Sequence, residues 1–277
     1  MATQRTYRSI PGEARHVYDN PETVKRYSNR FLWPVEEHLC NTYVRAPGRL
    51  LDIGCAAGRM SVPLGRQSGF QVVGLDISFN QVKEALVAAL ESDARCSFFQ
   101  CDMRALGLAD GSMDYVFITY TSIGALTRPK DRERCVQEVM RVLKPKGIAF
   151  ISVWNRLWPG AFGSSWAKWT ALWLMRLLRL NAHGPGNRVC WEAGGYVLWH
   201  YFSFPEAASL FRKAGLDILG MIPFAGAWAE NRLSENSWWS RYFGEGLYFV
   251  LSKPDRRHGA PEIDGLLRNT AASIRAE

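Results

Sequence analysis

The sequence predicts an α/β fold with a doubly wound, mostly parallel sheet of seven strands and helices on both faces. Short apolar runs alternate along the chain with segments whose apolar residues recur at helical spacing. Parallel neighbours need crossover connections, and these connections place helices over both faces of the sheet. The 277 residues, of which 47% are apolar, are enough for one such domain with elaborations.

Seven apolar runs bounded by turn residues predict the strands of this sheet. In chain order they are 49–53, 71–76, 97–100, 113–119, 147–153, 216–221 and 246–251. The fourth run is entered through Asp110-Gly111, a dipeptide typical of tight turns. The alternation of these runs with helical segments is typical of βαβ units.

Helices are predicted where apolar residues at helical spacing are flanked by start and stop signals. These segments are 21–27, 35–44, 58–68, 131–143 and 205–214, and a further helix follows Ser78, which suits an N-cap. Pro145 and Gly147 end the helix that precedes the fifth strand.

We expect three parts along the chain. Residues 1–45 are predicted to form a helical lid, and residues 46–252 the sheet domain. After the fifth strand, residues 155–200 interrupt the alternation and predict an α-helical, tryptophan-rich insertion. Residues 253–277 form a charged tail that the core does not need.

Charge and cysteine usage narrow the class of protein. The formal net charge of +8 favours approach to anions, which could be nucleic acid, acidic lipid or an anionic substrate. The alternative is that the charge only keeps the protein soluble. The six cysteines show no CxxC pair and no ligand spacing with histidine, so we predict no metal site and reduced thiols.

The first residues lack the apolar segment of a signal peptide, and no run of about 18 apolar residues occurs. We expect a cytoplasmic location.

A glycine-rich turn follows the first predicted strand. Gly54 permits a tight turn with close ligand approach, and Gly58 lets the helix start pack against the strand. Asp76 ends the second strand about twenty residues downstream, where a carboxylate accepts hydrogen bonds from ribose hydroxyls. These signals alone also describe a dinucleotide-binding fold. Asp102, after the third strand, is a further acidic position.

Four motifs in this order resemble those of the class I S-adenosylmethionine (SAM)-dependent methyltransferases, in particular their type 11-like domain. They are LLDIGCAAGRM, VVGLDIS, CDMRAL and RVLKPKG, within residues 48–153. The resemblance implies a Rossmann-like fold, SAM as the cofactor with S-adenosylhomocysteine (SAH) as its product, and methyl transfer as the activity of the 46–252 domain. Ala56 departs from the glycine usual in the first motif, and its methyl group is expected to narrow the turn.

The resemblance also implies which residues hold the cofactor. It places Asp52 and Gly54 near the methionine moiety and Asp76 on the ribose. Asp102 and the backbone of Met103 are expected to contact the adenine. The full set, which adds two tyrosines of the lid and the end of the fourth strand, is Tyr18, Tyr27, Asp52, Gly54, Cys55, Gly58, Asp76, Ile77, Asp102, Met103, Thr119 and Tyr120.

Candidates on the acceptor side are fewer, because methyl transfer from a sulfonium needs mainly orientation and removal of one acceptor proton. His200 and Tyr201 are candidate bases, in a segment that often closes the active site of similar enzymes. Tyr120 offers a hydroxyl beside the transferred methyl group. For each of these residues the sequence leaves a packing role open.

The segment 164–180, SSWAKWTALWLMRLLRL, is the most unusual part of the chain. On a helical projection, three tryptophans and three basic residues fall on neighbouring stripes. They are Trp166, Trp169 and Trp173, and Lys168, Arg176 and Arg179. Such a helix suits a lid over an apolar pocket, peripheral contact with a membrane interface, or packing in a dimer.

We therefore expect a SAM-dependent methyltransferase, monomeric or homodimeric, that modifies an oxygen, nitrogen or carbon atom of a small, partly apolar or aromatic acceptor. The positive charge and a loose likeness of LWHYFSFPEA to wobble-uridine methyltransferases make a tRNA methyltransferase the alternative. Nucleic acid is the less favoured partner, because the basic residues are dispersed along the sequence rather than clustered. A non-catalytic subunit that binds a partner is a third hypothesis. The presence of all three motif acids, Asp52, Asp76 and Asp102, argues against it.

Overall fold

Alternating helices and strands make up most of the chain that the computed structural model describes, namely residues 11–29, 31–45, 47–158, 170, 186–192, 195–225, 232–233 and 242–255. The helices are α1 (Pro11–Tyr18), α2 (Pro21–Arg26), α3 (Pro34–Tyr43), α4 (Ser61–Gly65), α5 (Phe79–Glu91), α6 (Pro129–Val142) and α7 (Phe204–Lys213), with a 3₁₀ turn at Ser122–Ala125. The strands are β1 (Gly48–Ile53), β2 (Phe70–Asp76), β3 (Cys96–Gln100), β4 (Met113–Ile118), β5 (Leu143–Trp154), β6 (Asn187–Glu192), β7 (Gly195–His200), β8 (Asp217–Ala225), β9 (Arg232–Leu233) and β10 (Gly246–Ser252).

Eight of these strands form one sheet in the order β3-β2-β1-β4-β5-β10-β8-β9. Neighbours from β3 to β5 are parallel, whereas β10 lies antiparallel to both β5 and β8. The predicted doubly wound, mostly parallel sheet is confirmed, and the two-residue strand β9 extends the seven predicted strands at one edge. The strand order reverses between β1 and β4, so the carboxyl ends of these strands border a crevice.

Helices cover both faces of the sheet, as the alternation of elements predicts. Leu51 and Val116 lie in a buried cluster with side chains of α6 and α7 on one face. Leu50 and Phe117, their neighbours along β1 and β4, lie in a second cluster with α3 and α4 on the other face. Successive residues of a strand point to opposite faces, so each central strand is apolar on both sides.

A two-stranded hairpin of β6 and β7 lies outside the main sheet. The expectation of a helical insertion over 155–200 is therefore wrong for its last part. The hairpin strands, NRVCWE and GYVLWH, are rich in β-branched and aromatic residues and meet near Gly195, which is the sequence signature of a hairpin. The predicted helix at 164–180 lies outside the described residues except for Thr170.

Helix boundaries differ from the prediction at the N-terminal side of the fold. Helix α1 has no counterpart among the predicted helices. Helix α4 is shorter than the predicted 58–68, because Gly58 has φ +84° and cannot belong to a right-handed helix. The described helices reach at most 14 residues, and none of them is long and apolar enough to span a membrane.

Substitution Gly58→Ala is expected to lower the free energy of unfolding by about 1–3 kcal/mol. The new Cβ would adopt a left-handed φ and lie 2.9 Å from Val62 Cγ2 and 3.3 Å from Ala85 Cβ. Urea denaturation measures the change. Gly107→Ala is the matched control, since a Cβ at Gly107 meets nothing within 4 Å, and it should cost less than about 0.5 kcal/mol. Equal losses in the two variants would contradict the packing role of Gly58.

Candidate functional site

A deep cavity opens at the carboxyl ends of β1, β2 and β4, and we call it the first cavity. It encloses about 1080 Å³ including its open mouth. Every residue of the predicted cofactor set lines it except Gly58, which packs against Val62 and Ala85 instead. The convergence follows from the topology, because parallel strands end at the same edge of the sheet.

The glycine-rich turn forms the floor of the first cavity. The backbone N–H groups of Gly54 and Cys55 both donate to the carbonyl oxygen of Leu75, at 2.7 and 3.0 Å. Gly54 has φ +75°, and a Cβ there would lie 2.8 Å from Ser122 Oγ, so only glycine fits this position. Ala56 is also left-handed, with φ +47°, so the residue that departs from the motif adopts the strained conformation that the usual glycine would allow.

Asp76 closes this turn from the end of β2. Its Oδ2 accepts the backbone N–H of Ala56 and its Oδ1 that of Ser78, both at 2.9 Å. Burial raises the pKa of Asp76, although these backbone hydrogen bonds oppose the shift. The two oxygens keep further lone pairs directed to the cavity that the side chain lines.

Asp52 lies at the bottom of the first cavity and is 1% exposed. Its Oδ2 accepts a hydrogen bond of 2.6 Å from Ser61 Oγ. Burial raises the pKa of Asp52 to about 6. Four buried polar atoms of the cavity lining have no hydrogen-bond partner among the described residues, namely Asp52 Oδ1, Tyr18 Oη, Gln81 Oε1 and Trp199 Nε1. Buried polar atoms are rarely left unpaired in native proteins, so the cavity suits a polar ligand that supplies these partners.

Asp102 stands at the far side of the same cavity, after β3. The guanidinium of Arg104 donates to it, with 2.6 Å between Nη2 and Oδ2. Burial alone would raise the pKa of Asp102, but the hydrogen bonds and charge of Arg104 outweigh this effect and lower it. Asp102 is therefore ionised at neutral pH, as an acceptor of an amino group must be.

A buried ion pair joins the glycine-rich turn to the N-terminal helices. Arg59 donates to Glu36 through both terminal nitrogens, at 2.6 and 2.7 Å, and Arg59 also lines the first cavity. The Tyr248 hydroxyl and the Trp33 backbone N–H donate to the same carboxylate. The sequence shows no sign of this pairing, since the partners are 23 residues apart on elements of different type.

The end of α1 docks beside the first cavity. Asp19 Oδ1 accepts a hydrogen bond of 2.6 Å from Ser78 Oγ, at the start of α5. The carbonyl oxygen of Tyr18 accepts hydrogen bonds from Ser78 Oγ and from Gln81 Nε2. These contacts hold the predicted lid residue Tyr18 on the cavity wall, which Tyr27 also lines.

A second cavity lies between the hairpin and the end of β5, and its wall is largely aromatic. Tyr120 and Trp199 line both cavities, so the two spaces share a boundary. The other aromatic residues of the second cavity are Trp154, Trp158, Trp191 and Tyr201, and its charged residues are Arg188, Glu192 and Glu245. Among the residues that the hairpin and its end contribute to this cavity, only Tyr201 was predicted from the sequence as a site residue. The period-two pattern of the hairpin strands is the feature of the sequence that indicates the others.

Tyr120 occupies a strained position at this boundary. It and Thr121 are consecutive residues with left-handed φ of +49° and +57°, and such strain is common at functional sites. Its ring packs against Tyr27 and Trp33, with centroids 5.8 and 5.0 Å away. Burial raises the pKa of Tyr120, so the phenol is neutral at pH 7 and can orient a ligand but not take its proton.

The three candidate catalytic residues thus differ in position. His200 is 1% exposed and lines neither cavity. Its ring nitrogens lie 2.7 Å from Asn187 Oδ1 and from Glu206 Oε1, so it joins the hairpin to α7, and its position does not support a role as base. Tyr201 faces the second cavity, where burial raises its pKa.

Comparison with known proteins identifies relatives of the chain. A family model described as a methyltransferase domain matches residues 50–147. The ubiquinone biosynthesis O-methyltransferase of Xanthomonas euvesicatoria pv. vesicatoria is 30% identical over 200 residues, which are 69% of this chain and 73% of that protein.

Two further matches cover different shares of their proteins. The 2-methyl-6-phytyl-1,4-hydroquinone methyltransferase of Synechocystis sp. is 36% identical over 107 residues, 39% of this chain, and the chain spans only 32% of that relative's length. The crystal structure of a SAM-dependent methyltransferase from Methanosarcina mazei superposes with a TM-score of 0.62 at 20% identity. It covers 80% of this chain and 98% of that one, and at this identity the likeness shows the fold alone.

Substitution Arg59→Met is expected to lower the free energy of unfolding by about 3–5 kcal/mol, because it leaves the Glu36 carboxylate buried without its counter-charge. Urea denaturation measures this loss. The double variant Arg59→Met/Glu36→Leu should recover part of it, since no buried charge remains. Arg15→Met is the control, because the Arg15–Asp19 pair is exposed and contributes less than about 1 kcal/mol. A double variant less stable than Arg59→Met would contradict this account.

Proposed function

Since the chain belongs to the class I SAM-dependent methyltransferases, we propose that it binds SAM in the first cavity and methylates a small, partly apolar or aromatic acceptor in the second. One observation carries the proposal. Tyr120 and Trp199 line both cavities, so the two cavities adjoin at these side chains and a ligand in one would lie beside a ligand in the other. Proximity of that kind is the main requirement of a displacement on an already reactive methyl donor.

The residues of the first cavity fit SAM chemically. Asp76 would hold the ribose hydroxyls, and Asp102, which is ionised, the adenine amino group. The unpaired oxygen of Asp52 would accept the cationic amino group of the methionine moiety. The unpaired Tyr18 hydroxyl and Gln81 amide oxygen supply further polar contacts.

When bound, SAM supplies a methyl group on a cationic sulfur, and the chain's residues orient and shield the reaction. The faces of Tyr27 and Tyr120 present negative ring potential to a cation. An acceptor ring held against the aromatic lining of the second cavity would displace water from it, which strengthens electrostatic contacts there. Neutral Tyr120 can donate a hydrogen bond that orients the acceptor.

The relatives support an aromatic acceptor. One is named for methylating a hydroquinone and another for an O-methylation in ubiquinone biosynthesis, and both names point to hydroxylated rings. The second cavity of this chain offers flat apolar walls that suit such a ring. Peripheral membrane contact through 164–180 stays a prediction, because nearly all of that segment lies outside the described residues.

Incubation with methyl-labelled SAM tests the acceptor class directly. A panel of substituted phenols and quinols is compared with bulk tRNA, and mass spectrometry detects the gain of one methyl group. We expect the gain in the aromatic panel. A gain confined to tRNA would replace the proposal with the wobble-uridine alternative, and no transfer to any acceptor together with SAM binding would favour a non-catalytic subunit.

Substitution Asp76→Asn is expected to weaken SAH binding at least about tenfold, because an amide loses the charge that strengthens hydrogen bonds from ribose hydroxyls. Isothermal titration calorimetry measures the affinity, and a urea titration checks that the turn held by Asp76 persists. The matched control is Asp93→Asn, an exposed aspartate after α5 with φ +52°, which should bind SAH as the wild type does. Unchanged affinity in Asp76→Asn would remove the ribose role.

SAH binding should also weaken as the pH falls through about 6, the raised pKa of Asp52. The cationic amino group binds the ionised carboxylate, so protonation of Asp52 removes its partner and lowers affinity by up to about tenfold per pH unit. Calorimetry at pH 5, 6 and 7.5 measures this slope, and Asp52→Asn should flatten it. A slope that persists in Asp52→Asn would assign the titration to another group.

A further inference from the structure

A buried carboxylate lies in the second cavity where it borders the first. Glu192 ends β6 and is 7% exposed among the aromatic side chains of this cavity. The Tyr27 hydroxyl, on the wall of the first cavity, donates to Glu192 Oε2 at 3.3 Å. Tyr27 also lies edge-on to Tyr120, the residue common to both cavities. Glu192 is thus placed where the two ligands of a transfer reaction would meet.

The described contacts of this carboxylate involve only one of its oxygens. Oε2 accepts the hydrogen bond from Tyr27 and lies 3.8 Å from Arg26 Nη1. Burial outweighs these contacts and raises the pKa of Glu192. A carboxylate whose pKa moves toward neutrality holds an abstracted proton better, as a general base requires.

The neighbouring candidates for proton removal are less suitable. Burial raises the pKa of the Tyr120 and Tyr201 hydroxyls, so neither is a phenolate at neutral pH. His200 lines neither cavity, and both of its ring nitrogens have partners. Glu245 lines the second cavity as well, so the experiment below compares Glu245 with Glu192 as the residue that accepts the proton.

We propose that Glu192 is the general base of this site and that the acceptor group is the hydroxyl of an aromatic ring. This inference rests on the proposed function. Aromatic walls hold a planar ring, and an ionised carboxylate among them calls for a neutral O–H donor. A phenolic hydroxyl ionises near pH 10, about the value of tyrosine, so a carboxylate can take its proton as the oxygen attacks.

The step balances in atoms and charge. The acceptor oxygen forms a bond to the methyl carbon while its proton moves to a carboxylate oxygen of Glu192. The electron pair of the broken carbon–sulfur bond stays on sulfur, which the bound SAM supplies as a cation. The negative carboxylate and the positive sulfonium are thereby both neutralised, and the aryl methyl ether and SAH leave as neutral centres at the reacting atoms.

Among the described residues, the charged and titratable groups that surround Glu192 come from several elements. Facing it are Arg26 and Tyr27, Tyr18 at the end of α1, Tyr120 after β4, Cys190 on its own strand, and Tyr201 after β7. Burial raises the pKa of each of these tyrosines and of Cys190. Arg188 and Glu245 also line the second cavity. Glu245 is therefore the other carboxylate that an experiment must distinguish from Glu192 as the proton acceptor.

Calorimetry on the full chain saturated with SAH tests the assignment with two probes, 4-ethylphenol and its methyl ether 4-ethylanisole. At pH 8 we expect the wild type to bind the phenol about tenfold more tightly, because its hydroxyl donates to an ionised carboxylate. This preference should decline as the pH falls through the raised pKa of Glu192, since a protonated carboxyl accepts weakly.

Substitution Glu192→Gln keeps the size of the side chain and the hydrogen bond from Tyr27 but cannot ionise. It should abolish both the preference for the phenol and its pH dependence, while SAH affinity is retained. Glu192→Asp should retain the pH dependence, and it decides the question if the glutamine variant does not fold. Glu91→Gln, which removes an exposed carboxylate of α5, is the control and should behave as the wild type.

Equal binding of the two probes to the wild type would overturn the inference, and so would a preference that survives in Glu192→Gln. Loss of the preference in Glu245→Gln with retention in Glu192→Gln would assign the base to the other carboxylate and also overturn it. In each case SAH binding and methyl transfer could persist. Failure of the wild type to bind SAH would instead contradict the proposed function.

Discussion

The buried ion pair between Arg59 and Glu36 is the interaction that ties the N-terminal helices to the edge of the sheet where the first cavity opens. Arg59 follows the glycine-rich turn, whereas Glu36 lies in the first turn of α3, so the pair joins a sheet edge to a helix outside the motifs. Tyr18 and Tyr27, which precede α3 along the chain, also line the cavity. The cofactor site is therefore built from the sheet and completed by the N-terminal helices.

The two cavities divide the chemistry between them. The first carries carboxylates and unpaired polar atoms at strand ends, which suit a polar and partly cationic ligand. The second is lined largely by tryptophans and tyrosines, and its charged residues are Arg188, Glu192 and Glu245. Strain at Tyr120 and Thr121 occurs where the two spaces meet, and hydrogen bonding of Thr121 N–H to Ser152 Oγ holds this strained turn in place.

Several parts of the site were predictable because they obey local rules. Gly54 and Asp76 follow strand ends, and parallel strands bring their carboxyl ends together whatever the side-chain packing. The hairpin was not predicted, because its aromatic strands follow the helical pattern of 164–180 in the sequence. The whole insertion over 155–200 was therefore predicted to be helical. For His200 the sequence left a catalytic and a packing role open, because it cannot show that Asn187 and Glu206 lie beside both of its ring nitrogens.

The sequence by itself determined the seven main strands of the sheet, the glycine turn and the acids near the ends of β1, β2 and β3, because hydrophobic period and turn chemistry are local properties of the chain. Only the tertiary structure decided which distant side chains meet. Glu192 contacts Tyr27 across 165 residues, and neither residue has a local signal for the other. Such pairings depend on how helices and hairpin pack over the sheet edge, which no short-range pattern encodes.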